Sequence, residues 1–165
     1  KSRKGLTVEI DNTDADGRLI LADALTRACE DKPALVLDFA TLTGAARVAL
    51  GPDLPPFYTD DDALAAELSK AGEEVCDPVW RMPLWDAYDD GMDSSIADLK
   101  NTGDGAFGGS IYAALFLRRF VKADAWAHFD IYAWAPKEKP ARPAGGEAQG
   151  LRASWRVLKA RFPAA

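Results

Sequence analysis

The hydrophobic period of this chain changes twice within about 35 residues, the length of a strand–helix–strand unit. "LTVEI" (6–10) sets Leu6, Val8 and Ile10 against Thr7 and Glu9, a period of two that reads as a short strand. From Leu19 the apolar positions Leu21, Ala24, Leu25, Ala28 and Cys29 follow helical spacing, and Asp31 and Pro33 close the helix. "ALVLDF" (34–39), nearly all apolar, reads as a buried strand. Such a crossover joins parallel strands. The expected class is therefore α/β, with a mixed, largely parallel sheet flanked by helices. In a parallel sheet the C-terminal strand ends share one edge. The polar loop 11–18 and "ATLTGA" (40–45) are thus expected to open into one crevice, where open α/β sheets bind ligands.

The rest of the chain is read more coarsely. "GPDLPPFYTDDD" (51–62) is a Pro-rich loop, and 62–74 an exposed amphipathic helix. "DPVWRMPLWDAYDDGMDSS" (77–95) is irregular, with Trp80, Trp85 and Tyr88 read as core or subunit interface. "NTGDGAFGGS" (101–110) carries four glycines, a loop of unusual backbone angles or close approach. It lacks the G-K-[ST] ending of a phosphate-binding P-loop. "IYAALFLRRF" (111–120) reads as a buried helix, with Arg118, Arg119 and Lys122 at a solvated end. "AWAHFDI" (125–131) alternates as a strand, and the Pro/Gly-rich stretch 136–150 is expected to be mobile. In "LRASWRVLKARF" (151–162), Leu151, Trp155, Leu158 and Phe162 share one face of a closing helix.

Composition removes several function classes. At 165 residues the chain is about one domain long. A net charge of −6 argues against a nucleic-acid partner, which wants a basic stripe. No apolar run approaches the roughly 20 residues that span a bilayer, and "KSRKGL" is not followed by a signal-peptide core. Cys29 and Cys76 are isolated, which fits free thiols in a reducing cytoplasm. The single histidine, His128, excludes H-E-x-x-H zinc chemistry. It reads as a hydrogen-bonded structural residue, as does Asp38 inside its apolar strand. Any metal site must rest mainly on oxygen ligands.

Oxygen ligands are crowded at one place. "EIDNTDADGR" (9–18) holds Glu9, Asp11, Asp14 and Asp16, with Arg18 just behind. Asn, Asp and Gly favour a turn there, and in a turn Asp14 and Asp16 can converge on one or two cations. Carboxylate sites suit Mg²⁺, Mn²⁺ and Ca²⁺, and Zn²⁺ also accepts oxygen. Arg18 would then face an anion beside the metal. Helix capping explains the same residues without a metal, because Asp and Asn cap helices and acids favour the first turn. On the pattern alone both readings stand. The spacing is not that of an EF-hand, which needs an acid at its twelfth position.

"NTDADGRLILADAL" closely resembles the N-T-D-A-E-G-R-L signature of the leucyl (cytosol) aminopeptidase family. The likeness continues through "DFATLTGAARVALG" (38–51), "WRMPLWDAY" (80–88), "SSIADLKNTG" (94–103), "GGSIYAALFLRRFV" (108–121) and "WAHFDI" (126–131), in the family's order and spacing. The resemblance implies a zinc-exopeptidase-like three-layer architecture and a metal-dependent exopeptidase that removes N-terminal, leucine-like residues from peptides. It implies two divalent cations, Zn²⁺ or Mn²⁺, with a bridging water as nucleophile. It assigns metal binding to Asp14 and Asp16, and a catalytic role to Arg18, which would hold a bicarbonate. It assigns substrate contacts to Thr41, Leu42 and Gly44, the last two through the backbone, and sets the Gly-rich loop near the substrate side-chain pocket. A cytoplasmic homohexamer is the implied assembly.

Two departures qualify this. The family's other metal ligands, a Lys and two Asp, and a second catalytic Lys lie upstream of the signature. The expectation is therefore that 1–165 is the C-terminal portion of a catalytic domain, truncated on its N-terminal side and inactive alone. The signature glutamate is here Asp16, whose carboxylate is retracted by about 1–1.5 Å, large against a tolerance of about 0.2 Å in metal–ligand distance. A milder departure is "IYAWAPKEKPARPAGGEAQG", which is unlike the family's usual D-I-A-G ending. A non-catalytic relative, serving as a structural or binding module with a degenerate site, is the competing class.

Overall fold

The structure, a computed structural model, describes residues 1–163. It divides into two compact units: Lys1–Val36 with Pro83–Trp126, and Leu37–Met82 with the chain from Ala127 onward.

In the first unit β1 (Val8–Glu9) pairs in parallel with β5 (Leu99–Lys100), Val8 opposite Leu99 and Glu9 opposite Lys100. Helix α1 (Gly17–Glu30) packs on α4 (Gly109–Arg118), and α4 in turn on a 3₁₀ helix, Asp86–Met92. The buried face of α1 is Arg18, Ala22, Leu25 and Cys29, spaced one helical turn apart. This is a slightly rotated version of the expected face, since Ala24 and Ala28 are exposed. Helix α4 is buried from Ala113 to Leu117, as a helix apolar all round should be. Its basic end is not simply solvated: Arg118 pairs with Asp86 at 2.7 Å, and Arg119 with Asp89.

The glycines of 101–110 have a steric reason. A Cβ at Gly103 would lie 2.1 Å from the Tyr112 ring, so the loop can cross that ring only without a side chain. Gly108, at φ +68°, caps α4 in the left-handed region that L side chains avoid. Tyr88 stacks on Tyr112 at 5.3 Å. Trp80 and Trp85 are each 56% exposed and Tyr88 39%, so they are not core residues, which leaves subunit interface as the remaining half of that expectation.

The second unit is built on a four-stranded sheet of order β2 (Val36–Ala40), β6 (Trp126–Asp130), β3 (Pro56–Tyr58), β4 (Trp80–Arg81). β3 runs parallel to β4 and antiparallel to β6. β1 and β2 therefore belong to different sheets. The expectation that they form one parallel βαβ sheet is overturned, and with it the argument that their loops share a sheet edge. The alternation of 6–10 is real, but its partner is β5, about 90 residues away, which periodicity does not report.

β2 is an edge strand and only half-buried, not the buried strand its composition suggests; Phe39 lies stacked on Phe129 at 4.5 Å. β6 is buried along its whole length. β3 was hidden in a Pro-rich stretch. Pro56 stands at the first position of the strand, where a missing N–H is tolerated, and Phe57 and Tyr58 are fully buried.

Helix α3 (Asp62–Glu74) starts as its sequence implies, with the Asp61 carboxylate accepting from the Leu64 N–H at 3.0 Å. It packs on α5 (Leu151–Arg161). The buried face of α5 is Ala153, Ser154 and Val157, while Leu151, Trp155 and Phe162 stand 57%, 64% and 52% exposed. The expected apolar face is thus the outer one, because the small residues let α5 approach α3 closely. Within 136–150, β8 (Gly145–Gly146) pairs with β7 (Trp134–Ala135). Gln149 fastens the stretch: its Oε1 accepts from the Tyr132 and Ala133 N–H groups, and its Nε2 donates to the Pro52 carbonyl. Among the described residues no helix is long and apolar enough to cross a membrane.

The N-terminus of α5 is capped from a distance. Gly150 has no side chain to offer, and the buried Asp77 carboxylate accepts from the N–H groups of Gly150 (3.0 Å), Arg152 (2.8 Å) and Ala153 (3.2 Å). An Asp77→Ala variant is expected to lose about 2–3 kcal/mol of stability, because three N–H groups lose a charged acceptor at a helix N-terminus. Urea unfolding measures this, and a loss under about 0.5 kcal/mol would refute the capping role.

Candidate active site

In the first unit the acidic loop is held by a residue far away in sequence. Asn101 follows β5 directly and is fully buried. Its N–H donates to the Glu9 carbonyl at 2.9 Å, continuing the β1–β5 ladder. Its Oδ1 accepts from the N–H groups of Asp11 (3.2 Å) and Asn12 (3.4 Å). Its Nδ2 donates to the carbonyls of Asn12 (2.7 Å) and Ala15 (3.4 Å). Thr102 adds a hydroxyl bond to the Asp11 carboxylate at 2.6 Å. Within the loop the Asn12 side chain accepts from the Asp14 N–H at 2.9 Å, an Asx-turn.

The loop delivers Asp14 and Asp16 exposed. Asp16 stands at the N-cap of α1, yet its carboxylate makes no capping hydrogen bond, and the first turn of α1 contains no acid. The capping account of the acidic cluster therefore fails for Asp16. Arg18 is 8% exposed, on the buried face of α1, and its Nη1 donates to the Asn101 carbonyl at 2.7 Å. Asp14, Asp16 and Arg18 thus sit on one loop–helix junction whose backbone and guanidinium both lean on Asn101. Two carboxylates with uncommitted oxygens suit hard divalent cations in donor chemistry. Among the described residues no group of three or more His, Cys, Asp or Glu side chains could hold a metal ion.

The second unit carries Thr41 and Leu42 between β2 and α2 (Gly44–Leu50), and Gly44 as the first residue of α2. Thr43 is the N-cap of α2, with its Oγ1 accepting from the Ala46 N–H at 3.2 Å. The turn is anchored by Asp130 at the end of β6, which is 1% exposed. Asp130 Oδ1 accepts from the N–H groups of Leu42 and Thr43, both at 3.0 Å, and Oδ2 from the Thr43 hydroxyl at 2.6 Å. The Leu42 N–H is thereby committed, leaving its carbonyl as the backbone group that can meet a ligand. On the same strand His128 is fully buried, its Nδ1 2.6 Å from Asp38 Oδ1. This is the structural pairing expected of both residues.

Asn101 and Asp130 were not singled out from the sequence. "KNTG" reads as an ordinary turn, and Asp130 as one polar position of an alternating strand. Nothing local reports that either side chain reaches back about 90 residues.

The chain belongs to the cytosol aminopeptidase family: residues 1–154 match its catalytic domain. It is 51% identical over 155 residues to the probable cytosol aminopeptidase of Prochlorococcus marinus, covering 92% of this chain and 31% of that protein. The crystal structure of a cytosol aminopeptidase from Coxiella burnetii superposes with a TM-score of 0.92 at 49% identity, over 97% of this chain and 35% of that one. The bottromycin maturation enzyme BotP, solved in complex with Mn, superposes with a TM-score of 0.88 at 38% identity, over 96% and 36%. The chain spans about a third of the length of the relatives it matches.

Burial raises the Asp130 carboxyl above its ordinary value, opposed by its hydrogen bonds to Thr43, by the charge of His128 and by the Leu42 N–H. The folded chain therefore holds this proton more tightly than the unfolded one. The group's contribution to stability is full below the unfolded carboxyl value of about 3.9 and is lost as pH rises through the raised folded value. Asp130→Asn removes that loss. Urea unfolding of both proteins from about pH 3 to 8 should show the parent losing stability relative to the Asn variant as pH rises. The opposite slope would refute the assignment.

Proposed function

We propose that this chain is the C-terminal portion of the catalytic domain of a metal-dependent aminopeptidase, which releases N-terminal, leucine-like residues from peptides. The observation that carries the reading is the acidic junction. Asp14 and Asp16 are presented exposed in a hydrogen-bonded turn, and Asp16 stands at a helix N-cap without capping it. A pair of carboxylates so placed suits divalent cations, and Asp16 makes no capping bond that would account for it otherwise.

In this reading Asp14 and Asp16 each contribute oxygen ligands, completed by residues outside this chain. The two divalent cations, Zn²⁺ or Mn²⁺, polarise the scissile carbonyl and activate water when bound. The Mn complex of the relative BotP supports the choice of ion. Arg18, with Nη1 tied to the Asn101 carbonyl, keeps its guanidinium in one place. There it holds a small anion such as bicarbonate beside the metals and positions the proton acceptor. Thr41, the Leu42 carbonyl and Gly44 orient the peptide, on a turn stiffened by Asp130. The parent enzyme is proposed to be a cytoplasmic homohexamer.

Asp16 in place of the signature glutamate favours a second reading, a non-catalytic relative with a degenerate site. Leucine amide hydrolysis with Mn²⁺ or Zn²⁺ separates the two. The intact protein is expected to be active, and Asp14→Ala to lower its activity about 100-fold or more with an unchanged melting temperature. This chain alone is expected to be inactive. Activity that rises sharply in Asp16→Glu would mark decay at this position. No activity in either the intact protein or Asp16→Glu would favour the binding module. Activity indifferent to chelators would sink the metal reading.

A further inference from the structure

The conformation of the acidic junction is not intrinsic to its sequence. Its backbone groups at Asp11, Asn12 and Ala15 find their partners in a single buried side chain. Every polar atom of Asn101 is engaged. The N–H extends the ladder to Glu9, the carbonyl receives Arg18, Oδ1 takes two N–H groups and Nδ2 serves two carbonyls. A carboxamide alone among neutral side chains supplies an acceptor and a two-proton donor in one plane. Here it grips the loop on both sides of the residues that lead to Asp14. In a site exposed to water, two carboxylates separated by one residue repel each other and splay unless the backbone between them is fixed. The cost of gathering them is lowest when the turn is already built before a cation arrives.

We infer that Asn101 is a positioning residue for cation binding: its carboxamide sets the spacing of the Asp14 and Asp16 carboxylates and so the affinity of the loop for divalent ions. This rests on the metal-binding reading of those two residues. Asn101 itself touches no cation. Its role is that of an outer partner that orients ligands, a class of residue whose loss typically costs about 10–100-fold in metal affinity.

The test is a titration of the ¹⁵N-labelled chain with MnCl₂, read by paramagnetic broadening of amide signals, which registers weak binding. In the parent chain the amides of 13–17 are expected to broaden first. In Asn101→Ala and in Asn101→Leu, which refills the volume without hydrogen bonds, half-broadening is expected at Mn²⁺ concentrations about tenfold higher or more. The control is Thr7→Val. Thr7 bonds Asp98 across the β1–β5 pair and contributes to the same sheet without touching the acidic loop. It is expected to lower the melting temperature and leave the Mn²⁺ midpoint unchanged.

A midpoint within about twofold of the parent in the Asn101 variants, or an equal shift in Thr7→Val, overturns the inference and leaves the metal reading intact. No selective broadening at 13–17 in the parent up to about 10 mM Mn²⁺, beyond the weakest physiological sites, overturns the inference, because the turn that Asn101 holds then gathers no cation; the metal reading is decided separately by the chelator test on the intact protein. A second measurement needs no variant. The Asn101 side-chain protons and the Asp11 and Asn12 amides are expected to be protected before Zn²⁺ is added and unshifted afterwards. Their rearrangement on adding Zn²⁺ would equally overturn the inference.

Discussion

A buried carboxamide must find partners for its oxygen and its two N–H protons, because each unmet group costs the fold about 1–3 kcal/mol. At Asn101 the partners are the backbone of residues 11–15. That requirement ties the chain after β1 to the chain after β5 and decides the path of the acidic loop. Where α1 begins and which of its faces is buried follow from that path. Arg18 reaches the Asn101 carbonyl because it lies one turn before Ala22 on the buried face. The proposed metal-binding and anion-binding residues are thus outcomes of one satisfied side chain.

The second unit applies the same physics with carboxylates. Asp130, Asp77 and Asp38 are all nearly inaccessible, and each is matched by donors. Asp130 is met by the turn that carries Leu42 and Thr43, Asp77 by the first turn of α5, and Asp38 by His128. Buried charge is costly unless hydrogen-bonded, so these pairings restrict where the turn and helix can lie. The turn bearing Thr41, Leu42 and Gly44 is held to the end of β6 for this reason. Its exposed positions are free for ligand contact because the inward N–H groups are already used.

Much of this was legible in the residues. The helices at 17–30, 62–74, 109–118 and 151–161 follow from apolar spacing and turn residues, the strand at 36–40 from an apolar run and the strand at 126–130 from alternation. The acidic junction and its arginine stand out because charge is crowded where a turn must form. The pairing of β1 was not legible. Val8 and Glu9 carry a strand's alternation but no sign of whether the partner is β2 or β5, and the nearer candidate was the wrong one. β3 was masked by prolines that read as a loop. The face of α5 was inverted, because periodicity detects an apolar stripe and says nothing of which stripe a neighbour can approach. Ala153, Ser154 and Val157 lost that comparison on hydropathy and won it on size.

By itself, then, the sequence determined the local conformations and the chemical types at the junction: a turn by Asn, Asp and Gly, two carboxylates one residue apart, a guanidinium one turn later. These depend on backbone sterics and side-chain chemistry that act over a few residues. Only the tertiary structure decided which strands meet, which helix face is buried, and that Asn101 and Asp130 govern loops about 90 residues distant. Those outcomes depend on burial, which turns an unmet hydrogen bond from a trivial cost in water into a prohibitive one, and burial is a property of the assembled chain.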